Sequence, residues 1–160
     1  MAFRARFIPR HPEKYLGDVQ KVFARSSWEV SVMKFFDSRA DIIRWNSEEF
    51  QIPYLSPIDL KVHQYFPDFY IEYKDKNGTI LKEIVEVKPL HESDRKFAKK
   101  RKTDGDPTWR DNSIEINEAK WKAASLYCES RGMTFRVITE RSIFYQGPPK
   151  KKKEKLNGNQ

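Results

Sequence analysis

Apolar side chains recur four residues apart at Trp28, Val32 and Phe36, which lays one stripe along a helix and predicts a helical segment from Ser26 to about Phe36. Ser26-Ser27-Trp28-Glu29 has capping-box spacing, a serine followed three residues later by a glutamate. The pattern then becomes strand-like. Trp45, Phe50, Ile52 and Tyr54 predict a first strand, with Ser56-Pro57-Ile58-Asp59 as the turn after it. A second strand is expected from about Leu60 to Lys74. Asn77-Gly78 marks a hairpin, and a third strand returns from Thr79 to Lys88 until Pro89, which cannot supply the next ladder donor.

From about His91 to Ser113 the chain is polar and basic and reads as a loop. A second helix is expected from near Asn112, with Glu115 at capping-box spacing, to Arg131, where Gly132 supplies a natural stop. Thr134 to Thr139 alternates as a final strand, with a short extension at Ile143 to Tyr145. Ahead of the first helix, an arm to about Lys14 carries Arg4, Arg6, Arg10 and Lys14, and Pro9 and Pro12 argue against regular structure there. The order helix, three strands, helix, strand predicts an α/β fold with a mixed sheet flanked by helices. Residues 1–147 are expected to form a single domain with its basic arm, and residues 148–160 a disordered basic tail.

Charge narrows the partners. The 160 residues suffice for one proper core, and they carry 31 Lys plus Arg against 23 Asp plus Glu, a formal net charge of +8. Such a balance favours a polyanion, most simply nucleic acid, because bound Lys and Arg release counterions from phosphates. The single cysteine, Cys128, excludes an internal disulfide and a cysteine-rich zinc site, and reads as a small core residue of a reducing compartment. No run of about 18 apolar residues offers a membrane span. The charged start, Met1 to Arg6, has no apolar stretch behind it and does not read as a signal peptide, so a cytosolic protein, or one packaged into something assembled there, is expected.

The candidate chemistry lies in Pro67-Asp68 and Glu86-Val87-Lys88. Alternation along a strand points Glu86 and Lys88 to one face and Val87 to the other. Whether Asp68 joins them depends on the hairpin register. A two-residue Asn77-Gly78 turn sets Asp68 opposite Val87 and Glu72 opposite Glu83, a like-charge pair. A three-residue loop, Lys76-Asn77-Gly78 with Gly78 left-handed, sets Asp68 opposite Glu86 and Glu72 opposite Lys82, at the expense of Ile71 facing Glu83. The charge pairing favours the odd loop. Two carboxylates converging from adjacent strands repel unless a cation sits between them, and hard oxygen ligands of this kind suit Mg²⁺ or Mn²⁺. With a lysine to orient water or offset charge on a phosphorus centre, the set makes a phosphodiesterase site.

Pro67-Asp68, then Glu86-x-Lys88 18 positions on (86 − 68), after an acidic residue on a preceding helix, resembles the PD-(D/E)xK nuclease superfamily. The wider text is similar to the head completion nucleases of T4-like tailed bacteriophages, distant relatives of TnsA-type transposon endonucleases. It consists of Phe3-Arg4-Ala5-Arg6-Phe7, Arg25-Ser26-Ser27-Trp28-Glu29, Glu48-Glu49, Ile52-Pro53-Tyr54, Tyr65-Phe66-Pro67-Asp68-Phe69 and Ala119-Lys120-Trp121. The resemblance covers nearly the whole chain apart from the basic tail. It implies a restriction-endonuclease-like core, Glu29, Asp68, Glu86 and Lys88 as the catalytic set, and Glu29, Asp68 and Glu86 toward the metal. It also implies double-stranded DNA as substrate, phage head, portal or neck proteins as partners, and residence in the virion and host cytoplasm. The implied role is processing of packaged DNA ends during head completion and head–tail joining.

Other readings stand beside these. Glu29 serves equally well as the closing residue of a capping box, and Glu86 and Lys88 are common on solvated strands. His63 near the site is a general base in one reading and a surface residue in another. Lys96, Lys99, Lys100, Arg101, Lys102, Lys120, Lys151 and Lys152 are candidate sequence-independent phosphate contacts. Trp28, Trp45, Trp109 and Trp121 read as anchors of core or loop. The rival function is a non-catalytic basic connector or plug of the phage head, and a third is a non-catalytic nucleic-acid-binding module.

Overall fold

The computed structural model describes residues 2–93 and 107–143. The first helix, α1, spans Ser27–Ser38 behind the cap Ser26, whose Oγ accepts the Glu29 N–H at 3.1 Å. It buries Val32, Met33 and Phe36, the inward stripe expected from the spacing.

The arm before α1 departs from the expected irregular segment. Strand β1 (Ala5–Arg6) pairs antiparallel with β2 (Phe23–Ala24), and a 3₁₀ turn covers Pro12–Lys14. Pro12 stands at the start of that turn, where a missing N–H costs nothing, so the proline begins structure rather than preventing it. The arm then closes over the far end of α1. Lys14 Nζ donates to the carbonyls of Phe36, Asp37 and Arg39 at 3.1, 2.8 and 2.7 Å. The buried Asp37 carboxylate accepts the N–H groups of Arg10 and His11 at 2.8 and 3.2 Å. An ammonium on the last carbonyls meets acceptors that the helix leaves orphaned, at the negative end of its dipole.

Strands β3 (Ile42–Ser47), β4 (Ile52–Leu55), β5 (Val62–Tyr65), β6 (Phe69–Lys74), β7 (Ile80–Val87) and β8 (Thr134–Ile138) follow. Two expected strands are each split. Glu48 turns left-handed (φ 58°) after β3, so the stretch from Trp45 to Tyr54 is not one strand but two, in different sheets. The stretch from Leu60 to Lys74 breaks at Phe66-Pro67-Asp68, where Pro67 lacks a ladder donor. As a result β4 and β5 pair as a separate hairpin, while the main sheet runs β3-β6-β7-β8. Its first three strands are antiparallel and β8 is parallel to β7, which makes the sheet mixed.

The β6–β7 register is the odd-loop one: Lys74 faces Ile80, Glu72 faces Lys82 and Ile71 faces Glu83. Gly78 takes φ 80°, the left-handed value this loop requires, and Asp75 N–H bonds to Thr79 O at 2.9 Å. The Ile71–Glu83 mismatch is answered from the other side, since Arg136 Nε of β8 lies 2.7 Å from Glu83 Oε1.

A short helix α2 (Leu90–Ser93) follows β7, inside the stretch expected as loop. The long helix α3 covers Pro107–Glu129 and therefore starts earlier than the expected Asn112; Gly132 (φ 65°) follows its end. After β8 the chain turns into α4 (Glu140–Ile143), so Ile143 is helical; Phe144 and Tyr145, the rest of the expected extension, lie outside the described residues. Among the described residues no helix is long and apolar enough to cross a membrane.

Both sheet faces are covered, which explains the unbroken buried run from Glu83 to Val87. Phe69, Ile71, Val85 and Val87 pack with Trp45 and with Met33 and Phe36 of α1. On the opposite face Tyr70 and Ile84 pack with Ile52, Tyr54 and Tyr65 of the hairpin and with Ala124 and Cys128 of α3. Replacing Lys14 with Met keeps the aliphatic stem and removes the clamp on α1. Urea unfolding is expected to show a loss of about 1–2 kcal/mol, and an unchanged midpoint would mean water replaces the ammonium without cost.

Candidate active site

Asp68 immediately precedes β6 and Glu86 lies near the end of β7, so the pair Phe69↔Val85 makes these two the next opposing residues. There the ladder stops, and the Asp68 carboxylate takes its place: Oδ2 accepts the Val87 N–H at 2.7 Å. The Asp68 carbonyl accepts the N–H of Glu48 at 3.0 Å, so the left-handed turn at Glu48 helps to fix the aspartate backbone.

Glu86 is 6% exposed. Its Oε2 accepts the Tyr65 hydroxyl at 2.7 Å, and its Oε1 lies 3.6 Å from Lys88 Nζ. Lys120 Nζ of α3 stands 5.7 Å from the ring centroids of both Tyr54 and Tyr65. Glu29, in the first turn of α1, accepts the Arg25 N–H on Oε2 at 2.9 Å and the Ser26 hydroxyl on Oε1 at 3.0 Å. Both of its oxygens thus serve the start of the helix, and its charge also reaches Asp68.

Electrostatics separate these groups from ordinary surface charges. Burial holds the Asp68 carboxyl well above the usual carboxylate range; Glu86 and then Glu29 push the same way, against the Val87 N–H and Lys88. Burial also raises Glu86, opposed by the Tyr65 hydroxyl, Lys88 and Lys120. The Tyr65 hydroxyl is driven far up by burial and by Glu86, so it remains a donor. Lys120 is lowered, by burial first and by Lys88 second.

The structure therefore brings together Asp68, Glu86, Lys88 and Lys120, with Glu29 at the edge. His63 stands apart: it is exposed on the hairpin, with Nε2 2.8 Å from Asp59 Oδ2. Lys96, Lys99, Lys100, Arg101, Lys102, Lys151 and Lys152 lie outside the described residues, as does the Trp109 side chain. Trp45 is fully buried, and Trp28 and Trp121 pack at the edges of the two core clusters. Tyr54, Tyr65 and Glu48 were not foreseen as neighbours of the site. The run from Tyr65 to Asp68 placed Tyr65 close in sequence, but its partner Glu86 depends on the unforeseen hairpin.

The donor set suits a hard divalent cation. Asp68 and Glu86, one half-buried and one buried, both have raised proton affinity, and Asp68 Oδ1 accepts no hydrogen bond among the described residues. No group of three or more Asp, Glu, His or Cys placed to hold a metal occurs among the described residues. Two carboxylates match a cation such as Mg²⁺, which keeps several of its waters.

A sheet closed on both faces by helices, with paired carboxylates and a lysine at its end, is the arrangement of an endonuclease core. Residues 39–140 match the TnsA-like endonuclease N-terminal family, and the chain belongs to that family. Asp68, Glu86, Lys88 and Lys120 fall inside the match, while Glu29 precedes it. The chain is also 34% identical over 158 positions to the Head completion nuclease of Enterobacteria phage T4, an alignment covering 92% of this chain and 99% of that protein. No solved structure matches. The fold is restriction-endonuclease-like, and the family assignment gives the chain a nuclease role.

The repulsion has a thermodynamic signature. A carboxyl with a raised folded pKa binds its proton more tightly folded than unfolded, so its contribution is greatest when protonated and is lost as pH climbs through the folded value. Without metal, thermal stability should therefore fall as pH rises from about 4. Asp68→Asn keeps the acceptor for Val87 N–H and removes the charge. In EDTA at neutral pH it should melt higher than the wild type, by about 2–4 °C for each kcal/mol of repulsion removed. A lower melting temperature would show that the two carboxylates are not in conflict.

Proposed function

We propose that this chain is a Mg²⁺- or Mn²⁺-dependent deoxyribonuclease of the PD-(D/E)xK type that hydrolyses phosphodiester bonds of double-stranded DNA. The observation that carries this is the pairing of half-buried Asp68 with buried Glu86, with Lys88 beside it. A non-catalytic basic connector leaves that pair without a purpose, because holding two mutually repelling carboxylates partly out of water costs stability and contributes nothing to binding DNA.

Asp68 and Glu86 hold the cation, each steadied by a second contact, the Val87 N–H for one and the Tyr65 hydroxyl for the other. When bound, the cation polarises the phosphoryl oxygen and lowers the pKa of a coordinated water. Lys88, 28% exposed and tethered near Glu86 Oε1, orients the attacking water and offsets the charge that builds on the phosphate oxygens. Glu29 supports the site at longer range, its carboxylate fixed by Arg25 N–H and the Ser26 hydroxyl. Lysines and arginines at positions 96–102 and 150–155 supply sequence-independent attraction to the duplex. The T4 relative is named a head completion nuclease, and the corresponding role for this chain is processing of packaged DNA ends in phage head completion and head–tail joining, in contact with head, portal or neck proteins.

Linear and supercoiled plasmid incubated with Mg²⁺ should be cut, and EDTA or Asp68→Ala should abolish the cutting. Lys88→Ala should lower the cleavage rate by about 10²–10³-fold while the dissociation constant for duplex DNA changes little. Wild-type protein that leaves both plasmids intact, or a Lys88→Ala variant that loses binding and cleavage in equal measure, would overturn the assignment.

A further inference from the structure

Lysine 120 occupies an unusual place on α3. Positions 120, 124 and 128 lie one turn apart, and Ala124 and Cys128 of that stripe are fully buried against the sheet. A lysine on the inward stripe of a helix has to find something to face. Lys120 faces the rings of Tyr54 and Tyr65, 5.7 Å from each centroid, at the reach of a cation–π contact. It makes no hydrogen bond or ion pair with any of the described residues, although Asp68, Glu86 and Lys88 are all close enough to act on its charge. The two tyrosines come from opposite strands of the β4–β5 hairpin, and Tyr65 also donates its hydroxyl to Glu86. One side chain therefore sets the positions of a carboxylate of the site and of a cation above it.

The charges of Asp68 and Glu86 reach Lys120, but neither bonds to it among the described residues, so its half-buried N–H donors can take an incoming anion. We infer that Lys120 is a further catalytic residue, which contacts a non-bridging oxygen of the scissile phosphate in addition to Lys88 and is positioned there by Tyr54 and Tyr65. This rests on the nuclease reading above and extends it. It also gives the β4–β5 hairpin a purpose in the chemistry, as the support of a second cation at the reacting phosphate. Lys88 and Lys120 repel each other while no phosphate lies between them, and a phosphate relieves that repulsion as its charge grows in the transition state.

The test compares single-turnover cleavage of a linear duplex in saturating Mg²⁺ by wild type, Lys120→Met, Lys120→Arg and Lys122→Ala. The methionine keeps the stem packed on the tyrosines, and folding is checked by melting temperature. Lys122 is exposed on the same helix and serves as control. Lys120→Met should lower the rate at saturating protein by about a hundredfold, with the dissociation constant for the same duplex in EDTA within about threefold, a contact strengthened mainly in the transition state. Lys120→Arg should recover part of the rate, and Lys122→Ala should match the wild type. A Lys120→Met rate equal to wild type at saturation, with weaker binding only, would place Lys120 on the flanking backbone and overturn this inference while leaving the nuclease reading intact. Wild-type protein that does not cut would overturn both.

Discussion

The register of the β6–β7 hairpin sets Asp68 beside Glu86, and because burial denies these carboxylates water, each neighbouring element has to supply something that answers their charge. The ladder supplies the Val87 N–H, the hairpin the Tyr65 hydroxyl, the end of β7 the Lys88 ammonium, and α3 the Lys120 ammonium. None of these neutralises the pair, since both carboxyls remain raised. A pair left in that condition in a folded protein is a store of unfavourable electrostatics that a divalent cation would release. Stability is given up at the place where chemistry is proposed to occur.

The two-sided sheet explains why this can happen at a strand end without breaking the core. Val85 and Val87 turn toward α1 and its large apolar cluster, while Ile84 and Glu86 turn toward α3. The strand that presents the carboxylate is thus anchored by three apolar side chains, Val85 and Val87 on one face and Ile84 on the other, and the backbone that carries Glu86 does not depend on the site for its position. The β4–β5 hairpin extends the α3-side cluster up to the carboxylate and ends it in tyrosines, which are apolar in their rings and polar at their tips. That amphipathic boundary lets an apolar core become a charged pocket over the width of one side chain.

The parts of this arrangement governed by local pattern were legible in the sequence. Gly78 beside Asn77, together with the pairing of Glu72 with Lys82, was enough to choose the register and so to place Asp68 against Glu86. The stripe of Trp28, Val32 and Phe36 gave α1, and the order helix, three strands, helix, strand survives as α1, β3-β6-β7, α3 and β8. The hairpin was hidden because its lower boundary is a left-handed glutamate, Glu48, and residues other than glycine seldom announce such a turn. Phe50, Ile52 and Tyr54 alternate, and Trp45 is out of phase with them, which is the one trace of the break in the apolar pattern. The upper boundary, Pro67, was visible and was assigned to the motif instead of to a strand end. Tyr54, Tyr65 and Lys120 were therefore never seen to meet, since their contact exists only after the two long strands have been divided.

The N-terminal arm shows how a segment far from the carboxylates still bears on them. Glu29 can act on Asp68 only if α1 is fixed along its axis as well as packed on the sheet, because a helix held by apolar contacts alone can slide or rotate by a fraction of a turn. Ser26 caps one end and Lys14 clamps the other, with Asp37 tying Arg10 and His11 to the last turn. Both ends are therefore held by directional bonds, which tolerate far less displacement than methyl groups in contact. The family match begins after α1, at residue 39, yet the alignment with the T4 nuclease spans 92% of the chain. The arm and α1 lie in front of the matched segment, and α1 still covers one face of the sheet. Their physical effect is to bring one more fixed negative charge to the edge of a site whose carboxylates already repel.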